Sequence, residues 1–145
     1  MLKHFLKKFN CFNLVYIGGF GRFHDIKTIL DAAIYLQLSG IKGIAIHLFG
    51  SGEFYSHYEN SAKNKILSNL YFHARISKEF ILPLQREADA LLATVPNSKL
   101  FNFGINSNKI INYMASGKPI IYCGPLSTNN PIKECEIDQK HQLCI

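Results

Sequence analysis

The stretch FGINSNKIINYMASGKP, residues 103–119, combines a polar, glycine-containing loop with the start of an amphipathic helix. Ser107 or Asn108 is placed to cap the first turn, because a short polar side chain accepts hydrogen bonds from its unpaired N–H groups. Those N–H groups also make a helix start a natural seat for an anion such as a diphosphate. Lys109 adds a full positive charge in this turn, where the helix dipole favours an acid. The combination predicts an anion-binding site at Lys109.

A second glycine-rich loop, residues 16–25, follows the first apolar strand and has the sequence YIGGFGRFHD. Its N–H groups can form an anion-binding nest, and Arg22 is a candidate charge. The order of the glycines does not match the dinucleotide fingerprint, and no P-loop follows. A tight strand-to-helix turn explains the same glycines, and a solvated surface residue explains Arg22. The candidate contacts of this loop are Gly18, Gly19, Phe20 and Gly21.

Two further loops contain candidate contacts. In LFGSGEF, Gly50 and Gly52 allow the backbone to pass close to a ligand, whereas Glu53 is explained equally well as an acid at a helix start. In FHARIS, Arg75 and Ile76 follow an apolar strand, and Arg75 could instead pair with a carboxylate. Both loops, like the first glycine loop, follow apolar strands in one pattern of alternating strands and helices.

Apolar strands alternate with helical patterns, which predicts an α/β fold with a parallel sheet covered on both faces. We predict the strand order 3-2-1-4-5, with ligands bound beyond the carboxyl ends of the strands. The predicted strands are 14–18, 44–49, 70–73, 90–95 and 119–123. The predicted helices are 26–38, 53–66, 78–87 and 108–116, with Ile110, Ile111, Tyr113 and Met114 on the apolar face of the last, which Gly117 ends.

Composition narrows the class of protein. The 145 residues are enough for one domain with a buried core, and no apolar run is long enough to cross a bilayer. The net charge of +6 suits a phosphorylated ligand or an anionic membrane, and no nucleic-acid-binding motif accompanies it. The four cysteines lack metal-ligand spacing, so we expect no metal site.

Residues 1–13, MLKHFLKKFNCFN, form a separate basic segment ahead of the domain 14–145. Leu2, Phe5, Leu6 and Phe9 recur at helical spacing, with lysines on the other side, as in a helix that lies on an anionic membrane. The alternative is a linker helix whose apolar side covers the sheet. The segment does not have the pattern of a secretory signal.

With these motifs in view, residues 14–123 resemble the donor-binding domain of GT-B glycosyltransferases of the glycosyltransferase 4 family. The resemblance is greatest to a bacterial branch that uses amino-sugar donors for O-antigen or capsule. Members of that branch have FGISPNKLFEYMAAGKP where this chain has FGINSNKIINYMASGKP, and YAGNIGKAQGLDTLLEAA at the first glycine loop. They also have FLGRVPKEEVPALLAAADVLL at the position of FHARISKEFILPLQREADALLA.

The resemblance implies a Rossmann-like three-layer half-domain that binds a nucleoside-diphosphate sugar. Resemblance to the amino-sugar branch implies a UDP-linked donor, and binding is expected to need no metal or other cofactor. It implies that Lys109 and Arg22 hold the diphosphate as catalytic residues, and we expect the two to converge on one site. Arg75 and Ile76 would contact the base, and Asn112 replaces the Glu that grips the ribose. The remaining donor-binding positions implied are Phe103, Gly104, Ile105 and Asn108.

Besides Asn112, this chain departs from the family at two points. The family's loop Arg and Lys correspond to Gly19 and His24, so either Arg22 takes over their charge or activity is weakened. No acid lies between Leu100 and Ile110, where the family has its first Glu. The resemblance therefore supports donor binding more than acid–base work by carboxylates.

The function expected is the donor-binding half of a retaining glycosyltransferase for surface glycans, in a cytoplasmic protein with a candidate contact to the inner face of the membrane through residues 1–13. The half-domain is expected to be incomplete at its C-terminus, after one further helix, and to transfer no sugar alone. One alternative is a non-catalytic fragment or binding subunit that needs a separate acceptor-domain chain. Another is an unrelated nucleotide-binding module.

Overall fold

The computed structural model describes residues 5–97 and 108–125, apart from the Lys8 side chain. Five parallel strands lie in the order β3-β2-β1-β4-β5, which confirms the predicted fold class and strand order. The strands are β1 Phe12–Gly19, β2 Ile44–Ser51, β3 Leu70–His73, β4 Ala90–Thr94 and β5 Ile120–Cys123. The helices are α1 Ile26–Leu38, α2 Tyr55–Asn64, α3 Lys78–Glu87 and α4 Asn108–Ala115. None of the described helices has the length and apolar character that a bilayer crossing requires.

One face of the sheet is covered by α1 and α2. Asp25 caps α1, since its carboxylate accepts hydrogen bonds from the Thr28 N–H at 3.2 Å and the Thr28 hydroxyl at 2.6 Å. Alternate residues of the strands point to this face and pack on the apolar stripe of α1. The largest fully buried side chains of this cluster are Tyr16, Phe20, Ile26, Ile46 and Leu48.

The opposite face is covered by α3, α4 and the segment before β1. This segment forms a 3-10 turn, Leu6–Lys8, rather than the predicted amphipathic helix. Leu6 is fully buried, Phe5 packs edge-on against His73 at 5.3 Å between ring centroids, and Phe9 packs on His47 at 4.6 Å. The apolar residues in the described part of the segment therefore cover the sheet, and residues 1–4 lie outside the described part.

The α2 helix is shorter than predicted at both ends. It begins at Tyr55 rather than Glu53, because the Phe54 N–H donates to Phe20 O at 2.9 Å and the residues before it form a turn. It ends at Asn64, and Ile66 adopts a left-handed backbone with φ 53°. The other helix and strand boundaries lie within two residues of the predicted ones. Gly117 has φ 71°, as expected for a residue that ends a helix.

The sheet opens between β1 and β4 at its carboxyl edge. β1 pairs with β2 along its whole length but with β4 only at Leu14 and Val15. Beyond that point the Ile17 N–H donates to the hydroxyl of Tyr113 in α4, at 2.8 Å. The opening lies where the strand order reverses, which is the usual place for a ligand in an open α/β sheet.

Candidate functional site

A cavity of about 420 Å³ lies at the same carboxyl edge, beside this opening. It is enclosed by the ends of β1 and β2, the loop after β3, and the helices α3 and α4. The lining residues are Ile17, Gly18, Gly19, Phe49, Gly50, Ser51, Arg75, Ile76, Ile81, Gln85, Lys109, Asn112 and Tyr113. This set includes Lys109 and Arg75 but no carboxylate, so the described lining is cationic.

Lys109 projects from the first turn of α4 into the cavity. Its Nζ lies 3.9 Å from the centroid of the Tyr16 ring, an arrangement that stabilises a cation through the electron-rich face of the ring. Burial lowers the pKa of Lys109 from 10.5 to about 8. No salt bridge joins it to an acid among the residues that the structure describes. The charge of Lys109 is therefore only partly compensated.

Gly18 makes room for this lysine. A Cβ atom at Gly18 would collide with Lys109 Nζ and would stand 2.8 Å from the Tyr16 hydroxyl oxygen. The Tyr16 hydroxyl is itself oriented, since it donates to Gly19 O at 2.8 Å. The absence of a side chain at position 18 thus permits the lysine to lie over the end of β1.

Gly50, Gly52 and Phe20 hold the loops after β1 and β2 together. A Cβ at Gly50 would collide with Gly18 O, and one at Gly52 would stand 2.8 Å from backbone atoms of Phe20. Phe20 is fully buried, and its N–H donates to Ser51 O at 3.1 Å while its carbonyl accepts from Phe54 N–H. The backbone groups of Phe20 are therefore engaged within the protein. Phe20 and Gly52 do not line the cavity.

Arg22 is not brought into the cavity. The His24 N–H donates to Gly21 O at 3.0 Å, and the resulting turn directs Arg22 and Phe23 into solvent. Gly21 also lies outside the lining. The second cation of the described lining is Arg75, an exposed residue in the loop after β3. Arg75, rather than Arg22, therefore lines the same cavity as Lys109.

The His24 imidazole folds back over Gly19. A Cβ at Gly19 would stand 2.8 Å from His24 Cε1, and His24 Nδ1 is buried with no hydrogen-bond partner among the described residues. Burial and the positive charge of Lys109 lower the pKa of His24, which favours its neutral form. A neutral imidazole adds no charge to the site.

The predicted residues of the α4 region divide into three groups. Asn112 lines the cavity one helical turn after Lys109, with an exposed side chain. Asn108 is the first residue of α4 and is exposed outside the lining. Phe103, Gly104 and Ile105 lie outside the described residues, as does the alternative cap Ser107.

Sequence reasoning missed the residues that form the walls. Tyr113 was assigned to the apolar face of α4, but its hydroxyl contacts the Ile17 N–H. Gln85 is 2% exposed and lines the cavity from α3. A polar residue four positions after Ile81, on the buried side of a helix, is a signal that could have identified it. No group of three potential metal ligands occurs within the described ranges.

No protein-family model and no curated protein matches the sequence. Solved structures of glycosyltransferases share the fold. The G117R mutant of S. aureus TarM, in complex with fondaparinux, alpha-GlcNAc-glycerol and UDP, is 12% identical over 78% of this chain and 21% of its own, with a TM-score of 0.62. HepE of Anabaena, in complex with UDP, is 14% identical over 88% and 38%, with a TM-score of 0.57.

The C-terminal domain of LpcC from Francisella tularensis, a glycosyl transferase group 1 family protein, is 16% identical over 85% of this chain and 72% of its own, with a TM-score of 0.61. The chain spans about a fifth of the length of TarM. At these identities the similarity establishes the fold alone, a Rossmann-like α/β fold that matches half-domains of GT-B glycosyltransferases.

Proposed function

We propose that this chain binds the nucleoside-diphosphate part of a sugar nucleotide, as the donor-binding part of a glycosyltransferase. The observation that carries the proposal is Lys109. Its ammonium group is partly buried in a cavity whose described lining contains no acid, and burial lowers its pKa to about 8. A bound diphosphate would supply the missing negative charge through charge-assisted hydrogen bonds.

The remaining lining suits the rest of such a ligand. Arg75 at the mouth supplies a second cation, and its guanidinium can contact two phosphate oxygens at once. Asn112 can accept a hydrogen bond from a sugar hydroxyl. Ile76 and Ile81 offer apolar surface to a base. In this proposal Arg75 takes the role that the sequence suggested for Arg22, which reaches the ligand only through a rearranged loop.

The chemical role of Lys109 follows from where charge develops. During transfer the bond from the anomeric carbon to the phosphate oxygen breaks as a bond from that carbon to an acceptor hydroxyl oxygen forms. The electron pair of the broken bond stays on the diphosphate, which can also take the hydroxyl proton. A preoriented cation beside that oxygen stabilises the departing group more than the intact donor. We propose that the transfer retains configuration and serves surface glycan synthesis, as the resemblance of residues 103–119 suggests.

We further propose that transfer needs an acceptor-binding part, whether in the same protein or in a separate chain. The match to about a fifth of TarM and to the separately crystallised C-terminal domain of LpcC supports this. UDP is the first nucleotide to test, since it is present in the TarM and HepE structures.

Isothermal titration of the chain with UDP, GDP, ADP and NAD tests the proposal. We expect UDP to bind, and Lys109→Met to weaken binding by about 1.5–3 kcal/mol, the value of a hydrogen bond to a charged group. Lys118→Met is the matched control, because Lys118 lies beyond the far end of α4 and outside the lining. Binding of UDP with equal affinity by the Lys109→Met variant would overturn the proposed site.

A further inference from the structure

The amino edge of the sheet, opposite the cavity, carries a cluster of exposed apolar side chains. We call this cluster the amino-edge patch. It lies where β1 begins, where α1 ends, and in the loops that lead into β2 and β3. Its members, with their exposed fractions, are Phe12 at 49%, Leu38 at 82%, Ile41 at 46% and Ile66 at 82%.

Hydrogen bonds hold the four segments of the patch side by side. The Gln37 side chain donates to Ile66 O at 3.1 Å and accepts from the Ser68 N–H at 2.9 Å, which ties the end of α1 to the loop before β3. The Ile41 N–H donates to Leu36 O at 3.0 Å. The Phe12 N–H donates to Gly43 O at 2.7 Å. The exposed side chains therefore belong to one region of the surface, not to scattered positions.

An isoleucine at position 66 does not favour the stability of the fold. Its φ of 53° is in the left-handed region, where a β-branched residue is strained and glycine or asparagine is favoured. The side chain gains little from packing, since it is 82% exposed. Backbone strain combined with an exposed apolar side chain points to a contact outside this chain.

The charges around the patch are positive. The segments 35–45 and 63–73 contain lysines and no acid. Lys63 pairs with Glu59 at 3.2 Å, whereas Lys42 and Lys65 are exposed and form no ion pair within the described residues. The carboxylate of Asp89, which precedes β4, accepts the Asn13 N–H at 2.7 Å. Apolar side chains flanked by unpaired lysines complement an anionic lipid surface.

We propose that the amino-edge patch docks this chain on an anionic phospholipid membrane. Leu38, Ile41 and Ile66 enter the interface, and Lys42 and Lys65 contact the headgroups. The proposal differs from membrane binding through residues 1–13, because Phe5, Leu6 and Phe9 are packed on the sheet. It goes beyond donor binding, and it leaves the cavity at the opposite edge facing the water that supplies the nucleotide.

Sedimentation with vesicles tests this. We expect the chain to bind to phosphatidylcholine vesicles that contain about 30 mol % phosphatidylglycerol. We expect it to bind much less to vesicles of phosphatidylcholine alone. The double variant Leu38→Gln/Ile66→Asn should lower the partition coefficient about tenfold or more. Ile66→Asn relieves the left-handed strain, so a loss of binding accompanied by an unchanged or raised melting temperature is not a folding defect.

Lys42→Gln/Lys65→Gln should lower binding to the anionic vesicles about 30-fold, at about 1 kcal/mol per lysine, and remove most of its salt dependence. Leu82→Gln is the control, because Leu82 is an exposed leucine of α3 away from the patch. Unchanged vesicle binding by both double variants would refute the proposal. The proposal would also be refuted if the wild-type chain were a dimer in sedimentation equilibrium and the double variants were monomers, since the patch would then join two copies of the chain. UDP affinity should stay unchanged in all these variants, which separates this proposal from that of donor binding.

Discussion

The two edges of the sheet use glycine for different physical reasons. At the carboxyl edge, Gly18 and Gly50 are crowded, because a Cβ at either would collide with Lys109 Nζ or with Gly18 O. At the amino edge, Gly43 and Gly117 have φ of 82° and 71°, and a Cβ at either would meet no atom of the described residues within 4 Å. The first pair brings two loops and a lysine close together, and the second pair only turns the chain. Crowding, not glycine content, marks the candidate site.

Side chains that bridge elements differ between the edges in the same way. At the carboxyl edge Tyr113 is buried, and its hydroxyl accepts the Ile17 N–H at the point where β1 leaves β4. At the amino edge Gln37 makes comparable bonds to the loop of Ile66, but these bonds are exposed. Water can replace the exposed partners of Gln37 more readily than the partly buried partner of Tyr113. Substitutions at the carboxyl edge should therefore lower the free energy of unfolding more than substitutions at the amino edge.

The largest effect is expected for Gly50→Ala. The new Cβ would collide with Gly18 O, and neither backbone can move without breaking the pairing of β1 with β2, so we expect a loss of about 3 kcal/mol or more in the free energy of unfolding. Gly43→Ala, the matched change at the amino edge, meets open space and should lose only about 1–2 kcal/mol from its positive φ. Urea denaturation of both variants gives the comparison, and equal losses would contradict it.

Tyr113→Phe should lose about 2 kcal/mol of stability, because the partly buried Ile17 N–H loses its acceptor. The matched control is Tyr71→Phe, whose hydroxyl makes an exposed bond to Ser68 O at 2.9 Å and whose loss should be under about 1 kcal/mol. The measurement is again urea denaturation. Protection of the Ile17 amide from hydrogen exchange should fall in the first variant and not in the second.

Lys109→Met should raise the stability of the unliganded chain by about 1–2 kcal/mol at pH 7, since it removes a buried charge. Below pH 8 the folded and unfolded states both hold the proton, and the folded state bears the full cost. Between pH 8 and 10.5 the folded state releases it first, so the advantage of the variant should shrink as pH rises. The Lys109→Arg variant stays charged over this pH range, so it should remain less stable than Lys109→Met as the pH rises. A constant difference between wild type and Lys109→Met would show that the charge of Lys109 is not costly.

The smallest effect is expected for Gln37→Ala. Its bonds to Ile66 O and Ser68 N–H are solvent-exposed, so water takes their place and the loss should be below about 1 kcal/mol. Melting temperature measured by calorimetry is sensitive enough to detect this. A loss as large as that of Tyr113→Phe would mean that the amino edge is as tightly organised as the cavity.

Most of the fold could be predicted because its signals are local. Apolar runs separated by turn residues gave the bounds of α1, β3 and α3, and alternation of strands with helices gave the parallel sheet. The ends of α2 were wrong because a tertiary hydrogen bond from Phe54 to Phe20 and the conformation of Ile66 decide them. The 3-10 turn Leu6–Lys8 was missed because contact with the sheet outweighs helical spacing in so short a segment.

The sequence by itself determined that the glycine loops and Lys109 lie at the carboxyl edge, because parallel strands place their following loops together. Only the tertiary structure decided which side chains share the cavity. The turn closed by His24 and Gly21 carries Arg22 into solvent, and the loop after β3 brings in Arg75. It also decided that Phe20 is core and that Lys109 rests on Tyr16. Spacing along the chain fixes the edge of the sheet that a residue reaches, whereas the direction of its side chain depends on contacts between distant segments.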